Sequence, residues 1–297
     1  YITGSNAKML SREIATTLGG RFWNKDVYPY SFAEYLNARD IILSKNWMYG
    51  KQAAEVSKAF NDYFLYGGFP ELTDVIAKRV WLNDIYSKIF FSDLIVRNKV
   101  RNEEALGLLV RRLAENVKQP VSYTRLANLI SSIGIKISKA TVIEFIRYLK
   151  ESCLIFPIEN YAAKFAERNS NMKHYFIDNG LLSIFLLDGN TSLLENIVAI
   201  HLYKRYGAQL YFYNQNIEVD FIIPEAKTAI QVSYSLMDET TCRREVEGLI
   251  KLNRVFPMDN MCIITRDEER IITHESGVSI HVIPVWKWLL EEEPLRT

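Results

Sequence analysis

Apolar residues recur at three- and four-residue spacing through the first half of the chain, then at every second position through much of the last third, so helices give way to strands along the sequence. A first helix is predicted from about Lys8 to Leu18 and stopped by Gly19-Gly20. Ser31 is placed to cap a second helix, with Glu34 as its capping-box partner. Residues 50–100 read as helical, interrupted at Gly67-Gly68-Phe69-Pro70-Glu71, where two glycines and a proline cannot propagate a helix. Three helices follow, at about 104–117, 122–132 and 138–151. The last two have Ser122 and Ser138 as caps, and the third has Val142, Phe145, Ile146 and Leu149 on one face. An apolar strand (Cys153–Ile158), a basic tip and a return strand (His174–Asp178) complete a helix-turn-helix with a two-stranded wing. The remainder reads as helix 192–206, strands 209–213, 217–223 and 229–234, helix 238–256, strand 261–265, strand 280–284 and a short aromatic helix. The expected division is 1–40, a helical linker or lid 41–102, a winged-helix domain 103–190, and an α-β-β-β-α-β domain 191–297.

Charge sharpens this division. The net charge is only +1, yet residues 97–173 carry fourteen Lys/Arg against seven Asp/Glu, and residues 191–297 carry eleven against sixteen. A polyanion such as duplex DNA would therefore meet the middle of the chain. Lys136, Lys139, Arg147, Lys150 and Arg168 are the expected phosphate contacts, with Arg125, Lys164 and Lys173 nearby. A protein partner docking on the same winged helix is the other reading. The three cysteines fit neither a zinc site nor a disulfide framework, and no apolar run reaches membrane-spanning length. A cytoplasmic protein with no membrane partner is expected. The lack of Met at position 1 suggests that more chain precedes Tyr1.

An ordered set of short motifs adds a resemblance. Thr3-Gly4-Ser5-Asn6, Gly20-Arg21, Pro29-Tyr30-Ser31-Phe32-Ala33-Glu34, Gly67-Gly68-Phe69-Pro70-Glu71, Asp178-Asn179-Gly180, Glu195-Asn196, Glu218-Val219-Asp220-Phe221 and Arg244-Glu245 occur in that order. The chain thereby resembles a prokaryotic family of AAA-type ATPases with a C-terminal domain of unknown function, usually described as restriction-endonuclease-like. The resemblance implies a multidomain α/β protein: the tail of a P-loop ATPase module, a helical linker, a winged helix-turn-helix, and an αβββαβ endonuclease-like domain. It implies ATP and Mg²⁺ as cofactors of the full-length protein. No G-x-x-x-x-G-K-[ST] occurs in these 297 residues, so this chain alone could not hydrolyse ATP.

The resemblance also assigns roles to residues. Ser5 and Asn6 match a sensor position that orients the attacking water, and Arg21 a nucleotide-sensing or finger arginine. Glu195, Asp220 and Gln231 match a nuclease frame, in which carboxylates hold Mg²⁺ beside a lysine. Glu218 shares strand parity with Asp220, making Glu195, Glu218 and Asp220 the candidate metal ligands. Position 231 is Gln where an acid is wanted, and position 233 is Ser where lysine is wanted. A degenerate, inactive site is therefore expected. The competing expectation is a Mg²⁺-dependent endonuclease rescued by Lys227, Arg243 or Arg244.

Overall fold

The computed structural model describes residues 25–168 and 170–291. The sensor candidates Ser5, Asn6 and Arg21, and the helix expected at 8–18, lie outside these residues. What is described is a mixed α/β architecture built on a nine-stranded sheet.

The helical part opens with α1 (Phe32–Ala38). There Ser31 Oγ accepts from the Glu34 amide at 3.3 Å and the Glu34 carboxylate accepts from the Ser31 amide at 2.7 Å. Next come α2 (Lys51–Tyr66) and α3 (Lys78–Lys88), which runs on into a π-helical stretch, Ile89–Val96. Helix α4 (Glu103–Glu115) is started by Asn102, whose side chain accepts from the Ala105 amide, with Glu103 and Glu104 favourably placed in its first turn.

A short strand, β1 (Val121–Ser122), precedes α5 (Tyr123–Ser131) and α6 (Lys139–Glu151), the latter two capped by Ser122 and Ser138. β2 (Ile155–Asn160), the short α7 (Phe165–Arg168) and β3 (Asn171–Phe176) follow. β2 and β3 pair antiparallel, from Ile155 opposite Phe176 to Ile158 opposite Lys173. The return strand thus begins three residues earlier than its apolar pattern suggests.

After α8 (Asn179–Ser183) comes α9 (Asn190–Tyr206), buried along nearly its whole length from Leu193 to Leu202. Strands β4 (Tyr211–Asn214), β5 (Glu218–Ile223) and β6 (Thr228–Val232) lead to α10 (Glu239–Val255). β7 (Asn260–Thr265), β8 (Arg270–Thr273), β9 (Ser279–Pro284) and α11 (Val285–Trp288) end the described chain. β8 is absent from the sequence reading because three of its four residues are exposed and its apolar signal is short.

The sheet order is β1-β3-β2-β4-β5-β6-β7-β9-β8. β2 pairs parallel with β4, with Glu159 opposite Tyr211 and Asn160 opposite Phe212. The expected boundary at 190/191 therefore falls within one continuous sheet, and one large apolar cluster runs from Phe32 to Leu289. No described helix is long and apolar enough to cross a membrane.

The motifs at 29–31, 67–68 and 178–180 meet at a single joint. The Gly68 amide donates to Asp178 Oδ2 at 2.7 Å and the Tyr30 amide donates to the Gly68 carbonyl at 2.7 Å. A side chain on Gly68 would sit 2.3 Å from the Tyr30 carbonyl oxygen, which explains glycine there. Burial raises the Asp178 carboxyl to about 6, opposed by the amides of Gly68 and Gly180.

Candidate functional site

Helix α9 is buried on every side from Leu193 to Ile200, and within that apolar stretch it buries Glu195 and Asn196 in succession. Buried polar groups need partners, and each of these finds them on a different neighbour. The Asn196 side chain accepts from the Phe176 amide (2.8 Å) and donates to the Phe176 carbonyl (3.1 Å) and Asn179 Oδ1 (3.0 Å). Glu195 Oε1 accepts from the Tyr175 hydroxyl at 2.7 Å and from Lys173 Nζ at 3.2 Å.

Lys173 is the centre of the cluster. It is fully buried, and its ammonium lies 3.1 Å from Asp220 Oδ1, 3.2 Å from Glu195 Oε1 and 3.5 Å from Glu218 Oε1, with the Phe212 ring 5.6 Å away. Strand alternation explains the placement. On β3, Lys173 and Tyr175 share one face, and on β5, Glu218 and Asp220 share one face. Burial opposes the ammonium charge, but Glu195, Asp220 and Glu218 together hold it above the ordinary lysine range. Burial lifts the Glu195 carboxyl to about 7, with Lys173 pulling it down and Asp220 pushing it up.

The structure thus brings together all three candidate metal ligands, Glu195, Glu218 and Asp220, around an ammonium of the same chain. Lys173 itself is corrected: as a buried residue it does not belong with the exposed wing cations. Among the described residues, no group of three or more His, Cys, Asp or Glu side chains is arranged to hold a metal ion.

Gln231 is spent on strand geometry. Its Oε1 accepts from the Asp220 amide at 2.9 Å and its Nε2 donates to the Glu218 carbonyl at 3.0 Å, while the Val232 amide donates to Asp220 Oδ2 at 2.9 Å. These three bonds bridge β5 and β6 where their ladder has ended, because register pairing stops at Phe221 opposite Ile230. A carboxylate at 231 would lack the donor that Glu218 receives. The Ser233 hydroxyl donates to the Ser235 carbonyl and contributes nothing to the cluster.

The carboxylates face a cavity of about 520 Å³, with Lys118, Arg244 and Lys251 among its other lining residues. Arg244 pairs with the buried Glu245 at 2.5 Å, and this pairing holds its guanidinium above the ordinary range. Lys227 sits in the β5–β6 turn with φ at +44°, paired with Asp259 at 3.5 Å, so it does not enter the centre. Arg243 is exposed on α10.

The middle cations are elsewhere. Lys136, Lys139, Arg147 and Lys150 are exposed, the last three on α6. Arg147 lies 3.6 Å from Glu144 and over the Tyr148 ring. Arg168 donates to the Ala163 and Tyr161 carbonyls, closing the β2–β3 connection.

Comparison with known proteins finds matches for two parts of the chain and for nearly all of it. Residues 1–36 match an AAA domain, and residues 57–192 match a domain of unknown function (DUF8612). An uncharacterized protein of Methanocaldococcus jannaschii is 32% identical over 98% of this chain and 68% of its own length. One of Haemophilus influenzae is 31% identical over 98% of this chain and 70% of its own. No solved structure matches.

Proposed function

Since the chain belongs to the same family as these archaeal and bacterial proteins, we propose that it is the C-terminal, nucleic-acid-engaging part of a nucleotide-gated AAA-type ATPase whose nuclease-like centre is neutralised from within. In the intact protein, ATP and Mg²⁺ act at the ATPase module. Residues 103–190 serve as a winged helix, and residues 191–297 as an endonuclease-like module that does not cleave. The observation that carries the reading is Lys173, whose ammonium takes the place among Glu195, Glu218 and Asp220 that a metal ion needs.

Duplex DNA is the partner favoured by the outward face of α6. That face presents Lys139, Arg147 and Lys150 with Lys136 just before it, and Glu144 as its internal acid. Contacts of this kind give mostly sequence-independent, salt-sensitive affinity. The test is fluorescence anisotropy with a labelled duplex at two salt concentrations. The triple charge reversal K139E/R147E/K150E should abolish binding and leave the protein folded, at a cost of about 0.5 kcal/mol for each exposed position. Unchanged affinity in that variant refutes the DNA reading and moves the face to a protein partner.

A second reading, a Mg²⁺-dependent endonuclease, is favoured by the cavity itself, which sets Lys118, Arg244 and Lys251 around carboxylates. Mg²⁺-dependent cleavage by the wild type that is lost in Asp220→Ala would establish it in place of the first.

A further inference from the structure

The placement of Lys173 carries a consequence beyond neutralisation. The ammonium comes from β3, a strand of the middle segment, and reaches across to acids on α9 and β5. Its side chain is fully buried, whereas Glu218 is 42% exposed and the cavity opens onto all three acids. The centre therefore has access from the cavity side and a cation fixed at its back.

A divalent ion held by these three acids would compete with the ammonium for the same oxygens. At about 4 Å apart the two would also repel each other even in a moderately polarisable site. A divalent ion would also need its oxygens at about 2.0–2.6 Å, closer than the spacing around the ammonium allows.

Lys173 is also poised at the end of its ladder. It is the last β3 residue paired with β2, opposite Ile158. Beyond it, Met172 and Asn171 pair only with the two-residue β1. Withdrawing the ammonium would thus disturb a ladder end and leave the middle of the sheet in place. The opposite face of β3 buries His174, both ring nitrogens of which have no hydrogen-bond partner. Burial, aided by the charge of Lys150 on α6, lowers His174 to about 4.

We propose that Lys173 is an autoinhibitory plug: a cation carried on β3 that occupies the carboxylate centre and excludes a divalent cation from the cavity. The inference rests on the proposed reading of Glu195, Glu218 and Asp220 as a nuclease-like centre and is independent of whether α6 binds DNA. The probe is Mn²⁺ alone, followed by electron paramagnetic resonance on the whole chain at neutral pH. The wild type should show no stoichiometric binding. Lys173→Met, which keeps an unbranched apolar stem, should bind one Mn²⁺ at least about tenfold more tightly. It should also gain thermal stability from the ion, and K173M/D220N should lose both effects. Lys173→Gln serves as a second variant if the methionine chain does not fold. Stoichiometric Mn²⁺ binding by the wild type as tight as by either variant would overturn the proposal, as would a folded variant that gains no affinity. The wild-type titration alone decides the matter if neither variant folds, since tight binding with Lys173 in place contradicts a plug.

Discussion

Glu195 and Asn196 are adjacent on one helix and both are buried, yet they sit in opposite kinds of environment. Asn196 is closed on all sides by neutral partners, the Phe176 backbone and Asn179, in bonds of 2.8–3.1 Å. Glu195 belongs to a charged group of three acids and one ammonium that borders a cavity. A neutral network is satisfied once and is indifferent to pH. A charged one is balanced only at a particular protonation state, and removing one member leaves charge without compensation. One neighbour is thus held by neutral hydrogen bonds and the other by charge.

The largest effect should come from removing the cation. Lys173→Met leaves the acids unopposed and should cost about 3–5 kcal/mol at neutral pH by urea denaturation. Much of that loss should return at pH 5, where Glu195, lifted by burial to about 7, takes up a proton. A loss of the same size at both pH values would mean that Lys173 acts through packing alone.

Asn196→Ala strands the Phe176 amide and carbonyl and should cost roughly 2–4 kcal/mol, equally at pH 5 and pH 7. A marked pH dependence in this variant would erase the distinction between the two neighbours.

The third effect concerns the slope of stability with pH. Glu195 rises from the ordinary 4.5 to about 7 on folding, so between those values the folded chain binds more protons than the unfolded one. Stability from this group is greatest at the acid end and falls as pH rises, by up to about 3 kcal/mol. Glu195→Gln should flatten the curve, most clearly between pH 6 and 7. Asp178, lifted to about 6, contributes a slope of the same sign at lower pH that the substitution leaves intact. An unchanged curve in the Gln variant would place the Glu195 proton elsewhere.

Much of this was legible in the residues. The caps at Ser31, Ser122 and Ser138 and the succession of helices and strands followed from local rules that the structure obeys. The shared parity of Glu218 and Asp220 put both on the correct face. Lys173 was missed through one boundary. Starting the return strand at His174 leaves the lysine on a polar tip, whereas starting it at Asn171 puts Lys173 and Tyr175 on one buried face. Strands buried on both faces show no polar alternation, so their ends are poorly marked. The joining of β2 to β4 was illegible for another reason: parallel pairing between distant strands leaves no local signature. In the sequence Gln231 stands as a substituted ligand, and only its hydrogen bonds in the fold show that its amide replaces missing ladder bonds.

The central claim is that Lys173 is enclosed and ion-paired inside the native chain. Acetylation of the folded protein with a succinimidyl ester, read residue by residue by mass spectrometry, tests it directly. Lys173 should remain unmodified while exposed Lys136, Lys139 and Lys150 react, and it should label only after unfolding. Modification of Lys173 at the same rate as Lys139 in the native protein would contradict the account.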